Sequence, residues 1–293
     1  MPELPDITVY IEALEARVLG KSMTGVRIVN PFVLRSVEPP VQKLVGVPIT
    51  GFRRMGKRIV MEFEDDLFMV IHLMIAGRLR WRASGGDVVR PAPMARFEFR
   101  DGVLVLTEAG KKRRASIHLV QGEKNLDQFD RGGLEVLTAS RAAFADRLRS
   151  ENHTVKRSLT DPTLFSGIGN AYSDEILHRA KLSPLFLTSK MSDEQVTQLF
   201  GAVREVLTEW TDKLRADAAG EFPEKVTAFR EGMAVHGRFG RPCPVCGAPV
   251  QRIRYADNET NYCARCQTGG RLLADRAMSR LLKQDWPRSL DEM

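Results

Sequence analysis

Four cysteines, all in the last fifth of the chain, carry the most specific chemistry: Cys243 and Cys246 form one C-x2-C pair, and Cys263 and Cys266 form a second after sixteen residues. Two residues between cysteines let both thiolates point into one tetrahedral site, and the interval suits a β-hairpin that returns the second pair to it. Two disulfides are the competing arrangement, disfavoured in a chain without an export signal or any other cysteine. The expectation is therefore one structural zinc. Four thiolates leave no open position, so such an ion would hold the hairpin and do no catalysis.

A second group of residues is basic. Lys and Arg total 44 against 37 Asp and Glu in 293 residues, a formal charge of +7. The excess is clustered in "GFRRMGKR" (Gly51 to Arg58), "KKRR" (Lys111 to Arg114) and the six arginines between His236 and Arg271, where only Asp257 and Glu259 are acidic. Clusters of this kind favour a polyanion, and nucleic acid above all. "GIGN" (Gly167 to Asn170) adds a glycine turn before a short helix from about Ala171, a geometry that accepts phosphate oxygens when it is not simply a link between helices. At the other end "MPELPD" reads as a helix start, with Asp6 as cap and proline stiffening the approach.

The elements that must position these groups fall into blocks. Ile7, Ile11, Leu14 and Val18 recur at helical spacing, and Gly20 sits where a helix ends. Seven short β-type runs follow: "MTGVRIV", "PITGFRRM", "KRIVMEFED", "LFMVIHLM", "GRLRWRA", "ARFEFRDG" and "VLVLTE". Asp65-Asp66, Gly85-Gly86 and Asp101-Gly102 punctuate them, as in a sandwich or barrel. From about residue 135 the pattern is helical, with a start at Thr138, a Ser192 to Gln195 capping box, and a stripe of Val196, Leu199, Phe200, Val203, Leu207 and Trp210. Residues 216 to 236 read as a linker. The tail carries Leu272, Leu273, Met278, Leu281 and Leu282. The 43% hydrophobic content supports a full core. Neither a membrane span nor a secretory signal is read, so the expected location is cytoplasmic.

In this order the parts resemble the formamidopyrimidine-DNA glycosylase and endonuclease VIII family of base-excision repair enzymes. The likeness rests on "MPELPD", "MGKR" around Lys57, "HLMIAGRLR" from His72, "VKRSLTDPTLFSGIGNAYSDE" with Asn170, "VHGRFGRPC" and the cysteines, and it extends to about Gln267. It implies an α+β multidomain fold: an N-terminal β-sandwich with a flanking helix (1–135), a helix-two-turns-helix domain (136–235), a zinc-finger hairpin (236–270) and a C-terminal extension (271–293). It implies a monomeric bacterial enzyme near the nucleoid, acting on double-stranded DNA with a damaged base or abasic site. In the family the initiator methionine is removed and Pro2 becomes the nucleophile; as a free secondary amine it is expected to have a pKa of about 8. Glu3 and Lys57 then handle protons. The resemblance places His72, Lys156 and Asn170 on phosphates, Arg113 or Arg114 on the orphan base, and Ile75 in the hole left by the flipped nucleotide.

The chain also departs from the family pattern. Asn258 stands where the finger usually carries a phosphate-gripping arginine, leaving Arg252 and Arg254 to supply charge. Met74 replaces an expected glycine, Ile75 a methionine, and "TEAGKKRRAS" a "DPRRFG"-like loop. Ala216 to Phe229 lacks the segment that caps an oxidised purine. These departures favour a bifunctional glycosylase and abasic-site lyase with endonuclease VIII-like preference for oxidised pyrimidines; the alternative is a damage-binding protein with weak or no turnover.

Overall fold

Helix α1 spans Leu4–Val18 in a computed structural model that describes residues 1–83, 91–109, 112–224, 226–255, 258–273 and 287–292. The Gly85-Gly86 turn, Lys111, Asp257, Met278, Leu281 and Leu282 lie outside those residues. The cap of α1 is Glu3, not Asp6. Asp6 sits at the third helical position and accepts the Glu3 N–H at 2.8 Å, while the Glu3 carboxylate accepts the Asp6 N–H, a reciprocal box that satisfies two otherwise orphaned donors. Gly20, at φ +74°, takes the left-handed conformation past the helix end.

Eight strands follow: β1 (Gly25–Ile28), β2 (Ile49–Met55), β3 (Arg58–Phe63), β4 (Leu67–His72), β5 (Gly77–Arg82), β6 (Pro93–Phe99), β7 (Gly102–Glu108) and β8 (Ser116–Gln121). They form two four-stranded antiparallel sheets, ordered β1-β6-β7-β5 and β2-β3-β4-β8. The period-2 alternation decides the faces. Ile59, Met61, Met69, Ile71, Ile117 and Leu119 from one sheet pack with Leu79, Phe97, Leu104 and Leu106 from the other, and with Ile7, Tyr10 and Leu14 of α1. The outer face of the β2-β3-β4-β8 sheet carries Val60, Phe68, Val70 and Val120 under Leu126 and Phe129. Strand β8 is absent from the seven runs read in the sequence; it follows a polar, basic loop and alternates Ile117 and Leu119 with His118.

The chain divides into two compact units, Met1–Arg131 with Trp210–Thr227, and Gly132–Glu209 with Ala228–Met293. Residues 216–236 are therefore not a free linker. Phe222 and Val226 join the core of the first unit, and Met233 and Val235 are buried. The second unit contains α2 (Arg141–Arg149), α3 (Val155–Thr160), α4 (Asn170–Arg179), most of α5 (Asp193–Ala218), the hairpin β9 (Val250–Arg254) and β10 (Glu259–Cys263), and α6 (Ala264–Thr268). Ser140, not Thr138, caps α2, accepting the Ala143 N–H at 3.2 Å. The Ser192 to Gln195 box forms as read, with bonds of 3.0 and 3.3 Å. Leu272 and Leu273 of the extension, with Leu290 beside them, pack on Ile253 and Tyr262 of the hairpin, and the Leu273 N–H donates to the Tyr262 hydroxyl at 2.7 Å. Among the described residues no helix is long and apolar enough to cross a membrane.

Candidate active site and zinc centre

The head of α1 is packed into the first unit, so Pro2 and Glu3 are buried, Glu3 being 3% exposed. The terminal amine ahead of them, on Met1, is pushed below its ordinary value by burial, with Glu3 and Asp6 opposing and Arg78 and Lys57 assisting. Those charges place Glu3, Asp6, Lys57 and Arg78 around one amine. Lys57 stands in the β2–β3 turn after Gly56, which needs its φ of +62°. Burial lowers the Lys57 pKa and Glu3 opposes the shift. Desolvation makes both amines easier to deprotonate, and the buried carboxylate beside them is placed to exchange protons with them.

His72 ends β4, directly opposite Arg58 on β3 and Ser116 on β8. Its pKa falls to about 4, by burial first and then through Arg58, Lys57 and His118, so at neutral pH it is an uncharged hydrogen-bonding group. After β4 the chain turns at Met74, which adopts φ +53°, a conformation costly for a side chain with a Cβ. Ile75 at the tip is 64% exposed. Gly77 closes the turn; a Cβ there would lie 2.3 Å from the Leu73 carbonyl oxygen. Arg113 and Arg114 are exposed on the loop before β8. The buried Glu108 carboxylate organises that loop by accepting the Arg114 and Ala115 N–H groups at 2.9 and 3.0 Å.

In the second unit Asn170 opens α4, and its Nδ2 donates to the Glu259 carbonyl at 2.9 Å. The Lys156 ammonium, on α3, is enclosed by three acceptors: Asn170 O at 3.1 Å, Ser173 Oγ at 2.8 Å and Asp174 Oδ1 at 2.6 Å. Asp174 also accepts His236 Nδ1 at 2.8 Å and the Asn261 N–H at 3.2 Å. Glu175 beside it takes the N–H groups of Ala234, Val235 and His236 at 2.7, 2.9 and 2.9 Å. Its pKa rises because burial outweighs those donors. Sequence reasoning missed this network; adjacent acids one turn after "GIGN" were the available signal. Arg254 ends β9, exposed, and Asn258 is exposed too. Arg252 lies 4.0 Å over the Phe239 ring and 3.3 Å from Glu259.

The four cysteine sulfurs lie within 4.8 Å of one another, with Cys246 to Cys263 at 3.4 Å and Cys243 to Cys266 at 3.9 Å. Tetrahedral zinc–thiolate bonds of about 2.3 Å need sulfurs about 3.8 Å apart, so the set fits one structural zinc. His178 of α4 reaches the Cys243 sulfur with Nε2 at 3.3 Å.

Three family models match in chain order: the formamidopyrimidine-DNA glycosylase N-terminal domain over residues 1–116, its H2TH domain over 135–216, and a zinc finger found in FPG and IleRS over 240–269. Formamidopyrimidine-DNA glycosylase of Corynebacterium jeikeium is 30% identical over 293 residues, covering 91% of this chain and 100% of that protein. The chain belongs to the formamidopyrimidine-DNA glycosylase family. It is thus a DNA glycosylase of base-excision repair, in a family with abasic-site lyase activity. An uncharacterized formamidopyrimidine-DNA glycosylase-like protein of Mycobacterium tuberculosis is 44% identical over 151 residues, 52% of this chain and 94% of that protein. Lactococcus lactis Fpg in complex with abasic-site DNA superposes with a TM-score of 0.80 at 26% identity, covering 91% of this chain and 99% of that one. Another complex of the Lactococcus protein holds oxidised-pyrimidine DNA, also with a TM-score of 0.80.

Proposed function

We propose that this glycosylase excises damaged bases from duplex DNA through an imine on Pro2, with Glu3 and Lys57 moving protons. The observation that carries the reading is the desolvated terminal amine beside Glu3, Asp6, Lys57 and Arg78. The step requires residue 2 to be the free terminus, which intact mass would report as loss of Met1. The unprotonated proline nitrogen attacks C1′ of the flipped nucleotide, the C1′–base bond breaks and the base leaves with a proton. Opening of the sugar gives an iminium, which acidifies the neighbouring C2′ proton. Removal of that proton expels the 3′ phosphate, and a second elimination expels the 5′ phosphate. His72, Asn170 and Arg254 are assigned to the DNA backbone, Arg113 or Arg114 to the orphan base, and Ile75 to the vacated stack; Lys156, whose three donors are taken by Asn170 O, Ser173 Oγ and Asp174 Oδ1, is assigned to holding Asn170 in place instead of gripping phosphate itself.

Substrate preference is assigned to oxidised pyrimidines. Support comes from residues 222–224 and 226–227, where a purine cap would otherwise arise: Arg78 donates to the Val226 carbonyl and Arg80 and Arg82 pair with Glu224, tying both pieces to β5. The second reading, a damage-binding protein, draws on Asn258 in the finger and on Arg252 being engaged by Phe239 and Glu259. Borohydride trapping on duplexes holding an abasic site, 5-hydroxyuracil, dihydrothymine or 8-oxoguanine separates the two. A covalent adduct on the pyrimidine lesions and the abasic site that vanishes in Pro2→Gly is expected. Tight abasic-site binding with no adduct on any duplex would overturn the imine mechanism in favour of binding alone, and a dominant 8-oxoguanine adduct would overturn the pyrimidine preference.

A further inference from the structure

The outer face of the β2-β3-β4-β8 sheet has a second polar feature that the reaction above does not use. A cleft of about 480 Å³ opens beside β8, lined among others by Arg35, Lys43, His118, Gln121, Asn125 and Phe129. All belong to the first unit, and Arg35 and Lys43 are exposed. The half-buried His118 ring packs T-shaped on the buried Phe129 ring with centroids 4.9 Å apart, which holds the imidazole in place on the cleft floor. Burial, with the Arg58 and Arg35 guanidiniums beside it, lowers the His118 pKa, leaving a neutral hydrogen-bonding ring. The Gln121 and Asn125 amide nitrogens donate to the carbonyls of Asp65 and Gln121, at 2.6 Å in both cases, which fixes these two side chains on the wall.

Register connects this cleft to the phosphate position assigned to His72. His72 faces Ser116 across β4 and β8, and His118 lies two residues further along the same face, roughly 7 Å away at strand spacing. Arg58, directly opposite His72, donates to the Phe129 carbonyl at 3.1 Å and bridges the two places. Glu38 is the one carboxylate on the lining, so with Arg35, Lys43 and a neutral His118 the cleft carries a net single positive charge. That charge matches one phosphodiester better than a dianionic phosphate monoester. An aromatic floor with basic walls also suits a base and its phosphate together.

We propose that this cleft binds a nucleotide of the DNA strand leaving His72, outside the lesion, with Arg35 and Lys43 on its phosphate and the His118 ring, backed by the buried Phe129, against its base. The proposal rests on the assignment of duplex DNA as substrate and extends its footprint. The same nucleotide chemistry could come from a free mononucleotide, and the test separates the two sources. Fluorescence anisotropy of the zinc-loaded protein would be measured on abasic-site duplexes with short and long flanks, across a salt series, with and without thymidine monophosphate. The variants are Arg35→Ala, Lys43→Ala and the two combined, and Arg27→Ala on β1, which loses one surface charge as each single variant does; thermal midpoints check folding.

Longer flanks should tighten wild-type binding at least fivefold. The double variant should lose that gain, and its salt slope should fall by about 1 to 2 relative to wild type. Arg27→Ala should keep the flank gain. Flank dependence that survives in the double variant, or none in the wild type, overturns the proposal. Thymidine monophosphate binding that requires Arg35 and Lys43, without a flank effect, overturns the strand assignment in favour of a free nucleotide. If the wild type binds no abasic duplex at all, the substrate assignment itself fails and the cleft proposal falls with it.

Discussion

Replacing Asp174 with asparagine removes one full negative charge, and turns one acceptor oxygen into a donor NH2, at the centre of the second unit. Asp174 is 1% exposed and receives Lys156 Nζ at 2.6 Å, His236 Nδ1 at 2.8 Å and the Asn261 N–H at 3.2 Å. Asparagine offers one acceptor and one donor group, so its NH2 must face either the Lys156 ammonium or the two donors on the other side. Either orientation sets donor against donor. Hydrogen bonds to charged groups contribute about 1.5–3 kcal/mol each, and breaking one half of a buried ion pair costs about 3–5 kcal/mol. Lys156 retains Asn170 O and Ser173 Oγ, which holds the loss near the lower end, about 3 kcal/mol. Urea unfolding of the zinc-loaded protein, followed by far-ultraviolet circular dichroism, measures it. The double variant Asp174→Leu with Lys156→Met should be more stable than Asp174→Leu alone, because it leaves no uncompensated charge. A single-variant loss below about 1 kcal/mol, or a double variant no better than the single, would refute the argument.

Two further outcomes follow from the geometry. His72 has a folded pKa of about 4 against an ordinary 6.5, so between those values the unfolded chain binds more protons; its contribution is intact above pH 6.5 and is lost as pH falls towards 4. Urea midpoints of wild type and His72→Gln should therefore converge on acidification across that window, and parallel curves would contradict the assigned shift. For zinc, elemental analysis should give one ion per chain, and chelation or Cys263→Ser should abolish binding to abasic duplex while the helical circular dichroism of α2–α5 persists. Undiminished binding by a metal-free preparation would remove the structural role.

Legibility in the sequence followed how local the physical cause was. The zinc ligands needed only two C-x2-C pairs and a hairpin length, and α1 needed only its apolar period. Strands β1–β7 announced themselves through alternation between turn residues. Strand β8 did not, because its outward positions Ser116 and His118 are polar and the loop before it is basic; what makes it a strand is pairing with β4, a contact far away in sequence. The cap of α1 was assigned to Asp6 because aspartate is the commoner cap, whereas the backbone places Glu3 there and uses Asp6 as its reciprocal partner. Asp174, Glu175 and His236 were illegible for a different reason. A polar helix position reads as solvent-facing unless its partner is known, and the partner segment, residues 234–236, lies about sixty residues away.

Exposure separates the departures from the family pattern from the positions that keep it. Asn258, Ile75, Arg113 and Arg114 are exposed and Met74 is half-buried in its turn, so a change of side chain there alters what is gripped or read without removing a core residue. Pro2, Glu3 and Lys57 sit at a buried place, where desolvation lowers the pKa of the terminal amine on Met1 and of the Lys57 amine. A protein that only bound damage would gain nothing from desolvating those groups, and burying ionisable groups opposes folding. Their retention beside altered recognition loops supports the proposal of kept chemistry with a shifted substrate, which Pro2→Gly trapping across several lesions tests most directly.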